Sequence, residues 1–375
     1  MNKFKYLIAA AMALCFITVS AGCDSVGYKN NSSNQTDAAI ESNSAYSDNI
    51  DENTVVSNSS ESSQAVNAAE KRIQPTTEPS TEALTEFITQ EYNPTQVSDN
   101  SYNYSFSLSG FDSVTSLTDF ENCLDKLQTI INNSNFNLAF CFKNIESGAS
   151  VDFNENNRFM TCSTIKVPFV KSLLEQNINL DQKIAKTLTW SGDSGYVASL
   201  PYGTQLTVKE LIRRTVSHSD NSAYYNLHGY FGYNQFNINQ SRLGTSVRLG
   251  SSWIFTYCSA SEMLKNYEDV YNYIQTGKNG DLLKSCMTAD DVDVNMQVRS
   301  ALESKYTVAE KYGSQFYDGV DNNQFHDCAI VFADSPYVLT IFTNQIPETE
   351  KSAKVFKELA VVFDNINAVI YTNKN

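Results

Sequence analysis

The sequence predicts an α+β fold in which an antiparallel sheet of five strands is flanked by helices. Three observations lead there. Two strand-like runs lie close together near residue 140, a block of helical periodicity follows, and three strand-like runs in succession precede a last long amphipathic helix. Strands gathered at both ends of a region, with helices between them, describe an antiparallel sheet covered by helices rather than an alternating parallel one. No internal repeat of roughly 20–50 residues competes with this reading.

The elements follow in order. In "LTDFENCLDKLQTIINNSN", Leu117, Phe120, Leu124, Leu127 and Ile131 recur at helical spacing. In "FNLAFCFKNIESGASVDFN", Leu138, Phe140 and Phe142 alternate, and "ESG" turns the chain back into a second strand. Helices are predicted over 163–176, 207–217, 221–231 and 259–276. The runs "YTVAEKYG", "DCAIVFA" and "YVLTIFTN" read as three strands, and "ETEKSAKVFKELAVVFDNINAVIY" as a helix with one apolar face.

This pattern occupies 111–375, and the residues before it have a different composition. "MNKFKYLIAAAMALCFITVSAGC" has two lysines, an apolar core and small residues before Cys23, the layout of a secretory signal over 1–23. Its end, "VSAGC", resembles a bacterial lipobox, with Ser20 where leucine is usual. That resemblance implies lipidation of Cys23. The domain is therefore expected outside the cytoplasm, anchored to the bacterial membrane by lipid, or secreted if a plain signal is cut nearby. Residues 24–110 are rich in Ser, Asn, Thr, Glu and Gln without sustained periodicity. Such a segment buries too little apolar surface to offset its ordering entropy and is expected to be a disordered tether.

Charge separates the same regions. Of the net −15, residues 24–110 carry −10, from three basic and 13 acidic side chains, and 111–375 carry −7. No basic patch points to nucleic acid. Six cysteines lie in 111–375, an even number in an exported domain, so disulfides are allowed, yet the spacings are wide and hold no CxxC pair. With only three histidines, no zinc constellation is expected, and no cofactor.

Two serine sequences invite a nucleophile reading. "SGDSGY" looks like the nucleophile loop of a trypsin-like protease, but that mechanism needs His before Asp before Ser, and the first histidine is His218, beyond Ser194. It reads as a turn. "TCSTIKVPFV" places Ser163 ahead of an apolar run, where it suits a helix N-cap, with Lys166 one turn on. A serine hydroxyl is a poor nucleophile unless a base takes its proton. A lysine serves when burial or a nearby cation lowers its pKa.

Ser219-Asp220-Asn221 follows 56 residues after Ser163, and Lys311-Tyr312-Gly313 follows 92 residues after Ser219. S-x-x-K, S-D-N and K-x-G in that order, on a helix, a loop before a helix and a strand, form a specific set. Here the sequence resembles the class A β-lactamase-like and penicillin-binding serine hydrolases across nearly all of 111–375. The resemblance implies that Ser163 is acylated, that Lys166 is its general base, and that Ser219 passes a proton to the leaving nitrogen. Asn221 would bond Lys166 or the substrate amide, and Lys311 would fix Ser219 and attract a substrate carboxylate. Gly313 and Ser314 would line the substrate site, with the backbone N–H groups of Ser163 and Ser314 as the oxyanion hole. Asp220 is expected to cap the next helix.

Two departures stand out. The third motif is K-Y-G, where Thr or Ser in the family's K-T-G or K-S-G would help bind a carboxylate, and Tyr312 cannot place its hydroxyl there. The loop between the second and third motifs, which in class A enzymes carries the Glu that activates the deacylating water, holds no acid from Leu243 until Glu262, and Glu262 falls in a predicted helix as a solvated residue. The acyl-enzyme should form but hydrolyse slowly. His218, His228 and His326 are not expected in the chemistry, and the 21 Tyr and 21 Phe read as packing. The expectation is a monomeric β-lactamase-like hydrolase acting on a small β-lactam. The alternatives are a DD-peptidase or transpeptidase acting on D-alanyl peptides, and a wall-binding or sensor lipoprotein.

Overall fold

A sheet built from both ends of the domain positions everything else. The computed structural model describes residues 95–96, 104–290, 296–316 and 323–370; the expected signal with Cys23, and most of the expected tether, lie outside these. The strands of the main sheet are β1 (Ser107–Ser109), β2 (Leu138–Asn144), β3 (Ser150–Phe153), β4 (Thr307–Gln315), β5 (Gln324–Phe332) and β6 (Tyr337–Thr343). They form one antiparallel sheet in the order β4-β5-β6-β2-β3-β1.

The α+β class is as expected, but the sheet has six strands, not five. The sixth, β1, comes from residues assigned above to the tether, so the folded domain begins before residue 111. Its signal was weak because only Leu108 is apolar among serines; that residue pairs with Val151 at the sheet edge.

The helices are α1 (Leu117–Asn133), α2 (Lys166–Leu174), α3 (Val208–Val216), α4 (Asn221–Phe231), α5 (Asn234–Arg242), α6 (Ala260–Thr276), α7 (Gly280–Met287), α8 (Gln297–Leu302) and α9 (Glu350–Val369). Strand alternation divides the core into two layers. Leu138, Phe140 and Phe142 of β2 pack with α1 and α9, both phenyl rings lying 5.2 Å from that of Phe363. Ala139 and Cys141, between them, face the helical block that contains α2, α4 and α6. β2 is thus buried on both faces, as a central strand must be in a three-layer arrangement.

Caps fix the helix starts. Ser116, Thr207 and Asp220 accept hydrogen bonds from backbone N–H groups three residues on, at 3.3, 3.1 and 2.7 Å. Ser259–Glu262 and Thr349–Ser352 close reciprocal capping boxes. α5 escapes sequence reading because "NQFNINQSR" has poor helix propensity and one strongly buried apolar residue, Phe236. Tertiary bonds hold it: Asn239 Nδ2 donates to Glu175 Oε2 at 2.5 Å and Gln240 Nε2 to Asn266 Oδ1 at 2.6 Å.

The cysteine question resolves as thiols. Cys123, Cys141, Cys162, Cys258, Cys286 and Cys328 are all free and buried, in a domain large enough to be held by its core alone.

Candidate active site

Ser163 does not cap a helix. It lies inside a 3-10 turn, Cys162–Ile165, that runs directly into α2, whose N-cap is Ile165 with no side-chain cap bond. The N-cap expectation fails because tertiary contacts set the backbone here. Cys162 has φ +44, a left-handed conformation that costs a β-carbon-bearing residue about 1–3 kcal/mol. The preceding residues are tied down to hold it. Phe159–Met160 pairs with Tyr257–Cys258, and Thr161 N–H donates to Thr256 O at 2.8 Å. Pro168 falls in the first turn of α2, where a missing N–H is tolerated.

His326 supplies a further tie. It is fully buried on β5, opposite Gly313. Thr343 N–H donates to its Nδ1 at 3.3 Å, so the ring proton sits on Nε2, which donates to Met160 O at 2.8 Å. Burial lowers its pKa from 6.5 to about 3. An unfolded chain takes up the proton that the folded one refuses, so stability falls as pH drops from about 6.5 toward 3, by up to about 1.4 kcal/mol per unit. The thermal midpoint of wild type minus that of His326→Gln should therefore shrink between pH 7 and pH 4. A constant difference would refute the assignment.

Lys166 sits at the start of α2 with no exposed surface. Its Nζ donates to Ser219 O at 2.6 Å and to Asn221 Oδ1 at 2.5 Å, with Ser219 Oγ at 3.4 Å. Burial first, and the charge of Lys311 second, hold its pKa well below the usual lysine value, against Asp193 and Asp220, which favour the ammonium. Ser219 has φ +54, another left-handed non-glycine. Asp220 secures it as the expected cap of α4: Oδ1 accepts from Ala223 N at 2.7 Å and Oδ2 from Val197 N at 2.8 Å.

The "SGDSGY" segment is the turn expected, and it braces the same corner. Asp193 accepts from Gly195 N at 3.0 Å and from Ser222 N at 2.7 Å, and Trp190 N–H donates to Ser222 Oγ at 3.0 Å.

β4 closes the other side. Lys311 is fully buried; its Nζ donates to Tyr312 O at 3.0 Å and lies 4.0 Å from the Tyr312 ring centroid. Gly313 is where backbone meets backbone. A β-carbon there would fall 2.9 Å from Ser163 N, 3.0 Å from Cys162 Cβ and 3.1 Å from Thr161 O. Only glycine lets the strand lie this close to the serine turn.

Ser163, Asn221 and Ser314 line one cleft of about 440 Å³, together with Met160, Cys162, Trp190, Ser252, Trp253, Ile254, Phe255 and Gln315. Of the motif residues, Ser163 and Asn221 thus stand in the cleft wall, Lys166, Asp220, Lys311 and Gly313 are buried, and half-buried Ser219 lies against Lys166 Nζ. Sequence reading missed the aromatic wall. Its signal was rarity: the chain has two tryptophans, and both line this cleft. Trp190 stands edge-on to Phe255 at 5.4 Å, and Trp253 is 71% exposed at the mouth.

Glu262 corrects the expectation of a solvated residue. It accepts from Ser246 N at 2.6 Å and Ser259 N at 3.1 Å and pairs with Arg158 at 2.5 Å, clasping the chain segment before the cleft loop. These bonds lower its pKa against the burial that would raise it. Among the described residues, the cleft lining contains no carboxylate.

The fold matches a β-lactamase from Sphaerobacter thermophilus DSM 20745 at 15% identity and TM-score 0.53, covering 65% of this chain and 95% of that one. It matches the TLA-1 extended-spectrum β-lactamase at 18% and 0.57, covering 67% and 99%. A β-lactamase from Chitinophaga pinensis DSM 2588 matches at 21% and 0.54, covering 65% and 97%. No curated protein matches. The model describing the β-lactamase enzyme family matches residues 123–365, well over half of the sequence. On that match, and on the sheet and helix arrangement it spans, the chain belongs to the β-lactamase enzyme family.

Proposed function

We propose that the protein is a serine hydrolase that forms an acyl-Ser163 intermediate with β-lactam-type amides and releases it slowly. One observation carries this reading: a fully buried Lys166, its pKa held low, hydrogen-bonded to Ser219 and Asn221 beside the cleft that Ser163 lines.

Neutral Lys166 takes the Ser163 hydroxyl proton as Oγ attacks the substrate carbonyl. The tetrahedral oxyanion is met by the backbone N–H groups of Ser163 and Ser314, a role supported by the close approach of β4 to the serine turn at Gly313. The carbon–nitrogen bond then breaks, and Lys166 returns the proton to the leaving nitrogen through Ser219, whose Oγ is 3.4 Å from Nζ. A water must next add to the acyl carbonyl, restoring the Ser163 hydroxyl and freeing the acid. Among the described residues no carboxylate lines the cleft to activate that water, and Glu262 is committed to Ser246, Ser259 and Arg158. Deacylation is therefore the slow step.

The test incubates the purified full chain with a fluorescent penicillin and a chromogenic cephalosporin, beside Ser163→Ala. The expected result is a stoichiometric, persistent label in the wild type only, with a burst and little steady turnover. Fast steady turnover would remove the slow-release reading. No label with either reagent would remove the acyl-enzyme reading.

A further inference from the structure

We infer that Phe255, held by Tyr224 and Trp190, bars water from Lys166 and so decides the fate of the acyl group, keeping it on Ser163 instead of letting it hydrolyse. The inference rests on the acyl-Ser163 reading and assigns its slow release to a residue outside the three motifs.

Lys166 is the base at hand for a hydrolytic step, and a water it activates must stand within hydrogen-bond reach of Nζ, about 3 Å. The surroundings of that nitrogen are known in detail. Ser219 O and Asn221 Oδ1 accept its hydrogens at 2.6 and 2.5 Å, and Ser219 Oγ lies at 3.4 Å. The rings of Tyr224 and Phe255 follow, each with its centroid 5.8 Å from Nζ. A water between nitrogen and ring would need about 2.9 Å to the first and about 3.5 Å to the carbons of the second. The direct line from either ring to Nζ is therefore closed to it. Lys166 has no exposed surface.

The rings form one packed unit at the border of the cleft. Phe255 lies 5.4 Å from Trp190 at 82° and 5.6 Å from Tyr224 at 56°. Tyr224 is fully buried on α4, one turn after Asn221, and its hydroxyl donates to Ile254 O at 2.6 Å. The helix that presents Asn221 to Lys166 thus also pins the residue before Phe255. Phe255 and Trp190 line the same cleft as Ser163, so the seal stands between the base and the cleft. Water is retained where two to four polar partners meet it, and an apolar niche stays dry. The Tyr224 hydroxyl and Asn221 Oδ1 are already engaged, with Ile254 and Lys166.

Acylation is compatible with this seal, because the proton moves between Ser163, Lys166 and Ser219. Hydrolysis needs one more molecule inside it. The water oxygen would add to the acyl carbonyl while its proton passes to Lys166. The ester bond to Ser163 Oγ would then break, and the proton would return to that oxygen. Half-buried Phe255 is the part of the seal that truncation can open without touching the motifs.

The test acylates the full chain with benzylpenicillin, removes the excess and follows loss of the adduct by intact-protein mass spectrometry. Starting from acylated protein makes the lifetime independent of how fast each variant acylates. Phe255→Ala is expected to lose its adduct at least about ten-fold faster than wild type, as penicilloate, with a rate that rises with pH as Lys166 loses its proton. Phe255→Leu, which keeps apolar bulk, should stay within about three-fold of wild type. An adduct on Phe255→Ala as long-lived as that of wild type overturns the inference, as does equal acceleration in Phe255→Leu or a pH-independent loss. If Phe255→Ala takes up no adduct, Phe255→Val is read by the same criteria. Wild type that loses its adduct within seconds overturns this inference and the slow-release reading together. Wild type that never acquires one overturns the acyl-enzyme reading itself.

Discussion

Lys166→Ala is expected to slow acylation of Ser163 by about 10²–10⁴-fold, the usual contribution of a positioned general base. Lys166→Arg should do no better, because a guanidinium stays protonated and cannot receive the serine proton. The sign of the pH dependence follows from the same group. Below its pKa Lys166 is an ammonium and cannot accept; above it the amine can. Wild-type acylation should therefore rise with pH through an ionisation lying well below 10.5, the ordinary lysine value. Lys311 is the second-largest cause of that lowering. Lys311→Met should accordingly move the ascending limb to higher pH. The measurement is the second-order rate of penicillin labelling between pH 5 and pH 10, for wild type and the three variants. A flat wild-type profile, or Lys166→Arg at wild-type rate, would exclude Lys166 as the base.

Gly313→Ala should cost about 10²–10³-fold in acylation, the scale for losing one oxyanion donor. Gly313 is not in the left-handed region, so the penalty is not one of backbone dihedral. It is one of distance. The new methyl group would meet Ser163 N, Cys162 Cβ and Thr161 O at 2.9–3.1 Å, three atoms of a single segment that is already strained at Cys162. β4 and the serine turn must separate, and the Ser314 N–H moves with the strand. The labelling rate and the thermal midpoint should fall together, while far-UV circular dichroism stays near that of wild type. Acylation within three-fold of wild type would mean that the close approach plays no part in the chemistry.

Much of the fold was legible because its periodicities are local. Leu138, Phe140 and Phe142 alternate as a strand, and Phe120, Leu124 and Leu127 recur as a helix, whatever lies elsewhere in the chain. The three motifs were legible as a set, since their order and spacing restrict one another. What stayed hidden depends on contacts between distant residues. The serine turn departs from a capped helix because Met160 and Thr161 are tied to His326 and Thr256, far away in sequence. α5 persists through side-chain bonds to Glu175 and Asn266 despite a sequence unfavourable to helix. Glu262 looked like one more surface acid until the fold brought Ser246 and Arg158 to it. β1 is three residues long, too short for alternation to register.

That short strand has a mechanical consequence. β4, which carries Lys311, Gly313 and Ser314, is one edge of the sheet, and β1 is the other. Five inter-strand spacings of about 4.8 Å put some 24 Å between them. Tension drawn through the chain upstream of residue 104 therefore enters the domain at the margin farthest from the serine turn. It is met first by the pairing of Thr95–Gln96 with Ser113–Val114 and by the bonds of Tyr104 to Asp125 and of Ser105 to Gln128, and then by three residue pairs of the sheet edge, Ser107–Asp152, Leu108–Val151 and Ser109–Ser150. This seam would peel open before β4 felt the pull, so a tugged molecule would shed its outer strand and keep its chemistry.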